Sequence, residues 1–442
     1  MARQQAFVLF ELMNAMVVTA REAKARGHRV VALNHDPLRD SGPFAVADGL
    51  VDEVVHVESW ADQAEVDSVL KDVASRYEVV GTHSVFEATL PAQAALRTAA
   101  GLPTTSVADV RRVLDKARVR AKLYAEGLST LKSVPLDVAL GWTRWEFDRA
   151  AVLKPVNGTG SALCFEVSTT AELHDAVARV HSVHVVNPLM REYIFANGGF
   201  VLEEKAEGEL LSVESMVHRG HVGFVALTGR YVLAADPVVE QGTQIPYHHP
   251  HHDAIVARTE AVHRSLGIHH GGTHVEVMVD DDGTVELIDF NPRSAGFGSP
   301  VATGAAFGID YGKVLTDIGC GIEPDLSFAR RDSGFAVEMV VLPPPGATEF
   351  RSIEFPSHCL APRATKSPGE RLTGRADQLD AIGMFIVTGA TASQAHEAGL
   401  AARREVVFNG ARLGDNPNNS VAYSTFIGQD LPSPFPTRNS DG

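Results

Sequence analysis

The chain has 442 residues, 45% of them hydrophobic and 21% charged, which suits an ordinary globular protein with a large core and roughly two or three domains. A formal net charge of -16 argues against nucleic-acid and anionic-membrane partners, because phosphate-rich surfaces select basic proteins. Cys164, Cys320 and Cys359 lack metal-ligand spacing and cannot all pair, pointing to a reducing cytoplasm, and no segment is long and apolar enough to span a bilayer.

The apolar run from Ala6 to Phe10 follows a single arginine, Arg3, and is broken by Glu11 and Asn14, so it reads as a first buried strand and not as a secretory signal. A helix over 15–26, closed by Gly27, leads to a second strand at 30–33. Short apolar runs at 54–57 and 79–80, with a helix over 64–76 between them, continue a βαβ pattern and imply a parallel sheet. After the first strand the chain reads Phe10-Glu11-Leu12-Met13-Asn14, without the glycines of a dinucleotide-binding turn. Gly101-Leu102-Pro103 marks a boundary. A helix over 107–126 follows, carrying Lys116, Arg118, Arg120 and Lys122, then Trp142, Trp145 and Phe147 as packing residues.

A strand at 151–155 ends in Lys154 and Pro155 and opens into Asn157-Gly158-Thr159-Gly160-Ser161. Glycines let backbone N–H groups approach phosphate oxygens and Lys154 adds a point charge, although a ligand-free turn would use the same glycines. No Gly-Lys-Ser/Thr follows, so this is not a Walker loop. The stretch Val201-Leu202-Glu203-Glu204-Lys205-Ala206 breaks an apolar strand at a charged turn, either a hinge offering groups to an adenine ring or a plain acidic hairpin.

Two strands at 273–279 and 285–291 flank the turn Asp280-Asp281-Asp282-Gly283. Alternation puts His274 and Glu276 on one face, and Asp289 and Asn291 on one face of the second strand, with Arg293 just past its end. These oxygen donors beside a guanidinium suit Mg²⁺ bridging nucleotide phosphates; an exposed face with ordinary surface acids is the alternative. The run His248-His249-Pro250-His251-His252 lies in a loop before a helix over 254–266, and consecutive histidines rarely converge on zinc. Strands recur at 335–342 and 384–388, a helix is expected over 392–408, and the stretch from 415 reads as a loosely held tail.

In this order the elements resemble the ATP-grasp superfamily of carboxylate–amine ligases, most closely the L-amino acid (dipeptide) ligases. The resemblance implies a mixed α/β and α+β fold in three parts: an N-terminal parallel α/β domain (1–103), a central ATP-grasp domain (104–330) and a small C-terminal α+β domain (331–414), with a tail at 415–442. It implies ATP and Mg²⁺ or Mn²⁺ as cofactors. Lys116, Lys154 and the loop Gly158, Thr159, Gly160 and Ser161 would serve the phosphates, and Glu203, Lys205 and Ala206 the adenine. Glu276, Asp289 and Asn291 would hold metal, Arg293 and His274 would act at the reacting centre, and His83, Ser84 and Glu87 would meet an amino-acid substrate. The expected reaction joins a small-molecule carboxylate to an amine through an acyl-phosphate, in a cytoplasmic enzyme for which the resemblance suggests a homodimer. A carboxylase or purine-pathway ligase and a non-catalytic nucleotide sensor are the rival readings. Asp289 stands where such ligases usually carry Glu, and Leu210 falls near the position of a ribose-binding acid.

Overall fold

The structure, a computed structural model, describes residues 3–35, 49–158, 160, 162–182, 188–196, 198–234, 236–331, 333–373 and 380–435. Strands β1 (Gln4–Phe10), β2 (Arg29–Asn34), β3 (Glu53–His56) and β4 (Tyr77–Ser84) form a parallel sheet in the order β3-β2-β1-β4. Ala6, Phe7, Val8, Leu9 and Phe10 are all buried, as a parallel strand with helices on both faces requires. The expected helix over 107–126 is two helices, Val107–Val113 and Lys116–Ala125. The break falls where the Asp115 side chain accepts the Arg118 N–H at 2.9 Å and caps the second helix, which starts at Lys116.

A small antiparallel sheet of β5 (Ser133–Pro135), β6 (Ala151–Pro155), β7 (Phe165–Val167) and β8 (Phe200–Glu204) runs in the order β5-β8-β6-β7. Trp142, Trp145 and Phe147 pack edge to face on one another beside its core. Then come β9 (Glu209–His218), β10 (His221–Leu233), β11 (Asp236–Ile245), β12 (Gly271–Val279) and β13 (Val285–Asn291). Downstream lie β14 (Phe335–Val341), β15 (Ile353–Glu354), β16 (Leu360–Ala364), β17 (Gly383–Gly389), β18 (Val407–Phe408), β19 (Ala411–Arg412) and β20 (Val421–Tyr423).

One nine-stranded sheet runs β13-β12-β9-β10-β11-β14-β17-β16, with β20 paired to β10. Its apolar face, including Val213, Val275, Val277 and Leu287, packs on Ile255, Val262 and Leu266 of the helix His252–Leu266. Further along, Val337, Met339, Phe385 and Val387 pack on Ala395 and Ala402 of the helix Ala392–Glu405. The opposite face carries a second apolar cluster, with Met216, Ala226, Ala336 and Ile386 packed on the helices Ser299–Phe307 and Tyr311–Gly319, and the polar side chains of the site lie beside it.

The stretch after 415 is held more closely than its composition suggests. Asn416 and Asn419 are buried; the Asn419 side chain accepts the Leu342 N–H at 3.0 Å, and the Asn416 amide donates to the Leu342 carbonyl at 3.1 Å. Among the described residues no helix is long and apolar enough to cross a membrane.

Candidate active site

The β12–β13 hairpin sets the site. His274 stands opposite Asn291 and Glu276 opposite Asp289, so all four side chains share the polar face, and a bulge at Ile288 interrupts the ladder just beyond them. Lys116, at the first turn of its helix, reaches Asp289 Oδ2 at 2.5 Å. Burial works against the Lys116 charge, yet Asp289, with Glu87 and Glu276 further off, holds its pKa above the usual lysine value. Lys154, at the end of β6, donates to Glu203 Oε1 at 2.8 Å and to the Ile288 carbonyl at 3.3 Å.

Glu203 is 4% exposed and sits between Lys154 and Arg120, whose guanidinium grips both carboxylate oxygens at 2.8 and 2.9 Å. Burial opposes its charge, but these two cations depress its pKa to about 2. Arg120 also donates to Ser129 Oγ and to the Leu287 carbonyl, so one side chain joins its helix, the small sheet and β13.

On the other side of the hairpin, the buried Arg230 of β10 donates to Glu276 at 3.0 Å and Ser212 at 2.9 Å, pairs with Glu240 at 2.5 Å, and lies 3.0 Å from His274 Nε2. His274 Nδ1 lies 2.6 Å from Glu214. Burial opposes a charged imidazole, but Glu214 raises the His274 pKa to about 9. Against the same penalty, Arg230 and His274 hold the Glu276 carboxyl far below its ordinary range.

Arg293 pairs with Glu87, which starts the short turn Glu87–Thr89 in the N-terminal domain; burial opposes its charge and Glu87 raises its pKa. Among the described residues Glu87 Oε2 is buried and holds no hydrogen bond. The structure thus brings together Lys116, Lys154, Glu203, His274, Glu276, Asp289, Asn291, Arg293 and Glu87.

Of the other expected residues, His83 and Ser84 line one pocket with Arg293, although their hydrogen bonds run elsewhere. His83 and Ser84 end β4 itself and do not lie in a turn after it. Ser84 Oγ is bonded to Thr89 Oγ1 at 2.7 Å and His83 Nδ1 to Thr19 at 3.0 Å, and among the described residues the buried His83 Nε2 holds no hydrogen bond. Burial, with Arg97 nearby, lowers the His83 pKa to about 4. The Lys205 amine points outward to Glu166 at 2.6 Å, and its backbone N–H is bonded to the Ala150 carbonyl. Ala206 is buried. Gly158 packs against Pro155, and Gly160 takes a φ of 61° that favours glycine; Thr159 and Ser161 lie outside the described residues.

Arg120, Arg230, Glu214 and Glu240 carry no site role on sequence alone. For Arg230 and Glu214 the signal is a lone charge inside an apolar strand, costly to bury unless partnered.

The donor set fits a hard cation. Glu276 and Asp289 offer carboxylates and Asn291 an amide oxygen, and Mg²⁺ is commonly held by one or two carboxylates plus phosphate oxygens and water. Among the described residues no three His, Cys, Asp or Glu side chains form a metal cluster. In the histidine run, His248 bonds the Leu431 carbonyl, His251 the Asp281 carbonyl, and His249 approaches Glu209, so the rings turn to separate partners.

A family model described as ATP-grasp domain matches residues 147–301. No curated protein matches the sequence. Among solved structures, the L-amino acid ligase from Bacillus licheniformis is 20% identical with a TM-score of 0.76, the match covering 92% of this chain and 99% of that one. Phosphoribosylglycinamide synthetase from Anaerococcus prevotii is 15% identical at a TM-score of 0.67, with the same coverage of 92% and 99%. The biotin carboxylase domain of 2-oxoglutarate carboxylase from Hydrogenobacter thermophilus, solved with MgADP, ADP and bicarbonate, is 14% identical at 0.64, covering 93% and 92%. At these identities the likeness is one of fold.

Proposed function

Because the chain carries an ATP-grasp domain, we propose that it is an ATP-dependent ligase that activates a carboxylate as an acyl-phosphate and joins it to an amine, both supplied by amino acids. In the first step a carboxylate oxygen attacks the γ-phosphoryl group of ATP, releasing ADP. In the second the amine attacks the acyl carbon, forming the amide and expelling phosphate. A free carboxylate is a poor acylating agent, and phosphorylation supplies its leaving group.

Lys116 and Lys154 each stand on a carboxylate and can turn to phosphate oxygens when the nucleotide enters. Glu276, Asp289 and Asn291 would hold Mg²⁺, which would neutralise charge on the phosphoryl oxygens. Arg293 stabilises the same developing charge from the acyl side. Holding acyl-phosphate and amine side by side makes the second step effectively unimolecular.

The observation that carries the reading is the Arg293–Glu87 pair, within the electrostatic reach of Lys116, with Glu87 Oε2 holding no hydrogen bond among the described residues. An amino acid brings an ammonium for that oxygen and a carboxylate for the arginine. The reading carries with it a cytoplasmic enzyme, a homodimer as its assembly, and division of the chain near residues 103, 330 and 414.

ADP release with ATP and Mg²⁺ across paired amino-acid pools, with mass spectrometry of products, tests the proposal. ADP that appears only with particular pairs, alongside a new dipeptide mass, is the expected result. Release with bicarbonate and no amine would favour a carboxylase instead, and nucleotide binding without turnover would favour a sensor.

A further inference from the structure

The polar face of the nine-stranded sheet continues past the site. Arg230 on β10 stands opposite Thr243 on β11, Thr243 opposite Glu338 on β14, and Glu338 opposite Ile386 on β17. Met384, two residues along β17, stands opposite Arg363 on β16. Directly opposed residues share a face, as do residues two apart in a strand, so Glu338 and Arg363 belong to the face that carries Arg230.

Glu338 is 4% exposed, and its Oε1 accepts the Gly298 N–H at 2.7 Å. Gly298 ends the loop that begins at Arg293 and leads into the helix Ser299–Phe307. Glu87 therefore reaches this loop from the N-terminal domain and Glu338 reaches it from the C-terminal strands. Arg363 Nη2 donates to Met384 Sδ at 3.0 Å, a weak acceptor. Among the described residues, Glu338 Oε2 and the Arg363 Nε and Nη1 donors hold no hydrogen bond, and none of them is sealed from solvent.

The two charges sense one another yet form no ion pair. Burial pushes the Glu338 carboxyl up to about 7, with Arg363 pulling the other way, and burial pushes the Arg363 guanidinium down. A carboxylate and a guanidinium desolvated on one face normally pair, because leaving them apart is costly. Here β17 runs between them and Arg363 is offset by two residues, so their backbones stand roughly 12 Å apart, with Ile386 and Met384 on the face between them. A small ligand lying over Met384, with a positive group at one end and a negative group at the other, would give each charge a partner.

We propose that Glu338 and Arg363 hold the amine-donating amino acid, Glu338 Oε2 taking its ammonium and Arg363 its carboxylate. The proposal rests on the ligase reading and names the substrate class of its second step.

The test uses the full chain and the amino-acid pair that releases ADP in the wild type. Glu338→Gln keeps an acceptor for the Gly298 N–H, and Arg363→Met keeps the stem. Each variant is expected to raise KM for the amine amino acid at least about tenfold, while KM for ATP and for the carboxylate donor stays within about twofold. Arg363→Met should also lose the preference for the free amino acid over its C-terminal amide. Equal changes in all three KM values, or a fall in kcat alone, would reduce Glu338 to a tether of the Arg293 loop and overturn the proposal.

If the wild type releases no ADP with any pair, the ligase reading falls and the site is read by calorimetry with individual amino acids. Binding of a free amino acid, absent with its amide and weakened in both variants, would keep the site; no such binding would remove it.

Discussion

The two ends of the nine-stranded sheet treat charge differently. At the hairpin end each cation of the site stands on a carboxylate of the same chain: Lys116 on Asp289, Lys154 on Glu203, Arg230 on Glu276 and Glu240, Arg293 on Glu87. At the C-terminal end Glu338 and Arg363 share a face and stay apart. Closed pairs keep a highly charged pocket foldable without ligand and can exchange partners with a phosphate and a cation arriving together. An open pair accepts one molecule carrying both signs.

The largest effect should come from opening the closed end at its reacting groups. Glu276→Gln and Arg293→Ala are each expected to lower kcat/KM for ADP release at least about a hundredfold, with circular dichroism unchanged. Near-normal turnover in both would break the assignment of this end to phosphoryl transfer. Next comes stability: Glu203→Ala leaves Arg120, 2% exposed, and Lys154 without their carboxylate and should cost about 3–5 kcal/mol in urea unfolding.

The open end should show itself more gently, through pH. Glu338 has its folded pKa raised from 4.5 to about 7, so its contribution to stability is fully present below the unfolded value and is lost as pH rises through the folded one. Wild-type stability should therefore fall relative to Glu338→Gln between about pH 4.5 and 7. Parallel pH profiles for the two proteins would mean that Glu338 has a partner after all.

Much of the closed end is legible in the order of residues alone. Strict alternation in Thr273-His274-Val275-Glu276 and in Asp289-Phe290-Asn291 is enough to put four polar groups on one face, and the cross-strand register agrees. The parallel N-terminal sheet follows from its βαβ rhythm, and the ATP-grasp fold from the order of the motifs. Arg230, Glu214 and Glu240 are harder, because what makes them part of the site is lateral pairing between β9, β10, β11 and β12, which local periodicity does not reveal. Lys205 stands at the hinge with its amine turned outward to Glu166, and the sequence alone does not separate a side-chain role from a backbone one there. The break before Lys116 has a local signal in Asp115, a strong helix starter in the middle of an apparently continuous helix. Asn416 and Asn419 have none, since an asparagine-rich stretch reads as loop until its distant partner, Leu342, is known.

The late position of β20 also orders events in time. The N-terminal sheet draws all its strands from the first 84 residues and can pair early during synthesis. The nine-stranded sheet takes β13 from before residue 291 but receives β20, the partner of β10, only at Val421–Tyr423. Until then one edge of that stretch of β10, and the backbone of Leu342 just past β14, lack these partners, so the slow, long-range closure of this sheet is the stage of maturation most exposed to misassociation.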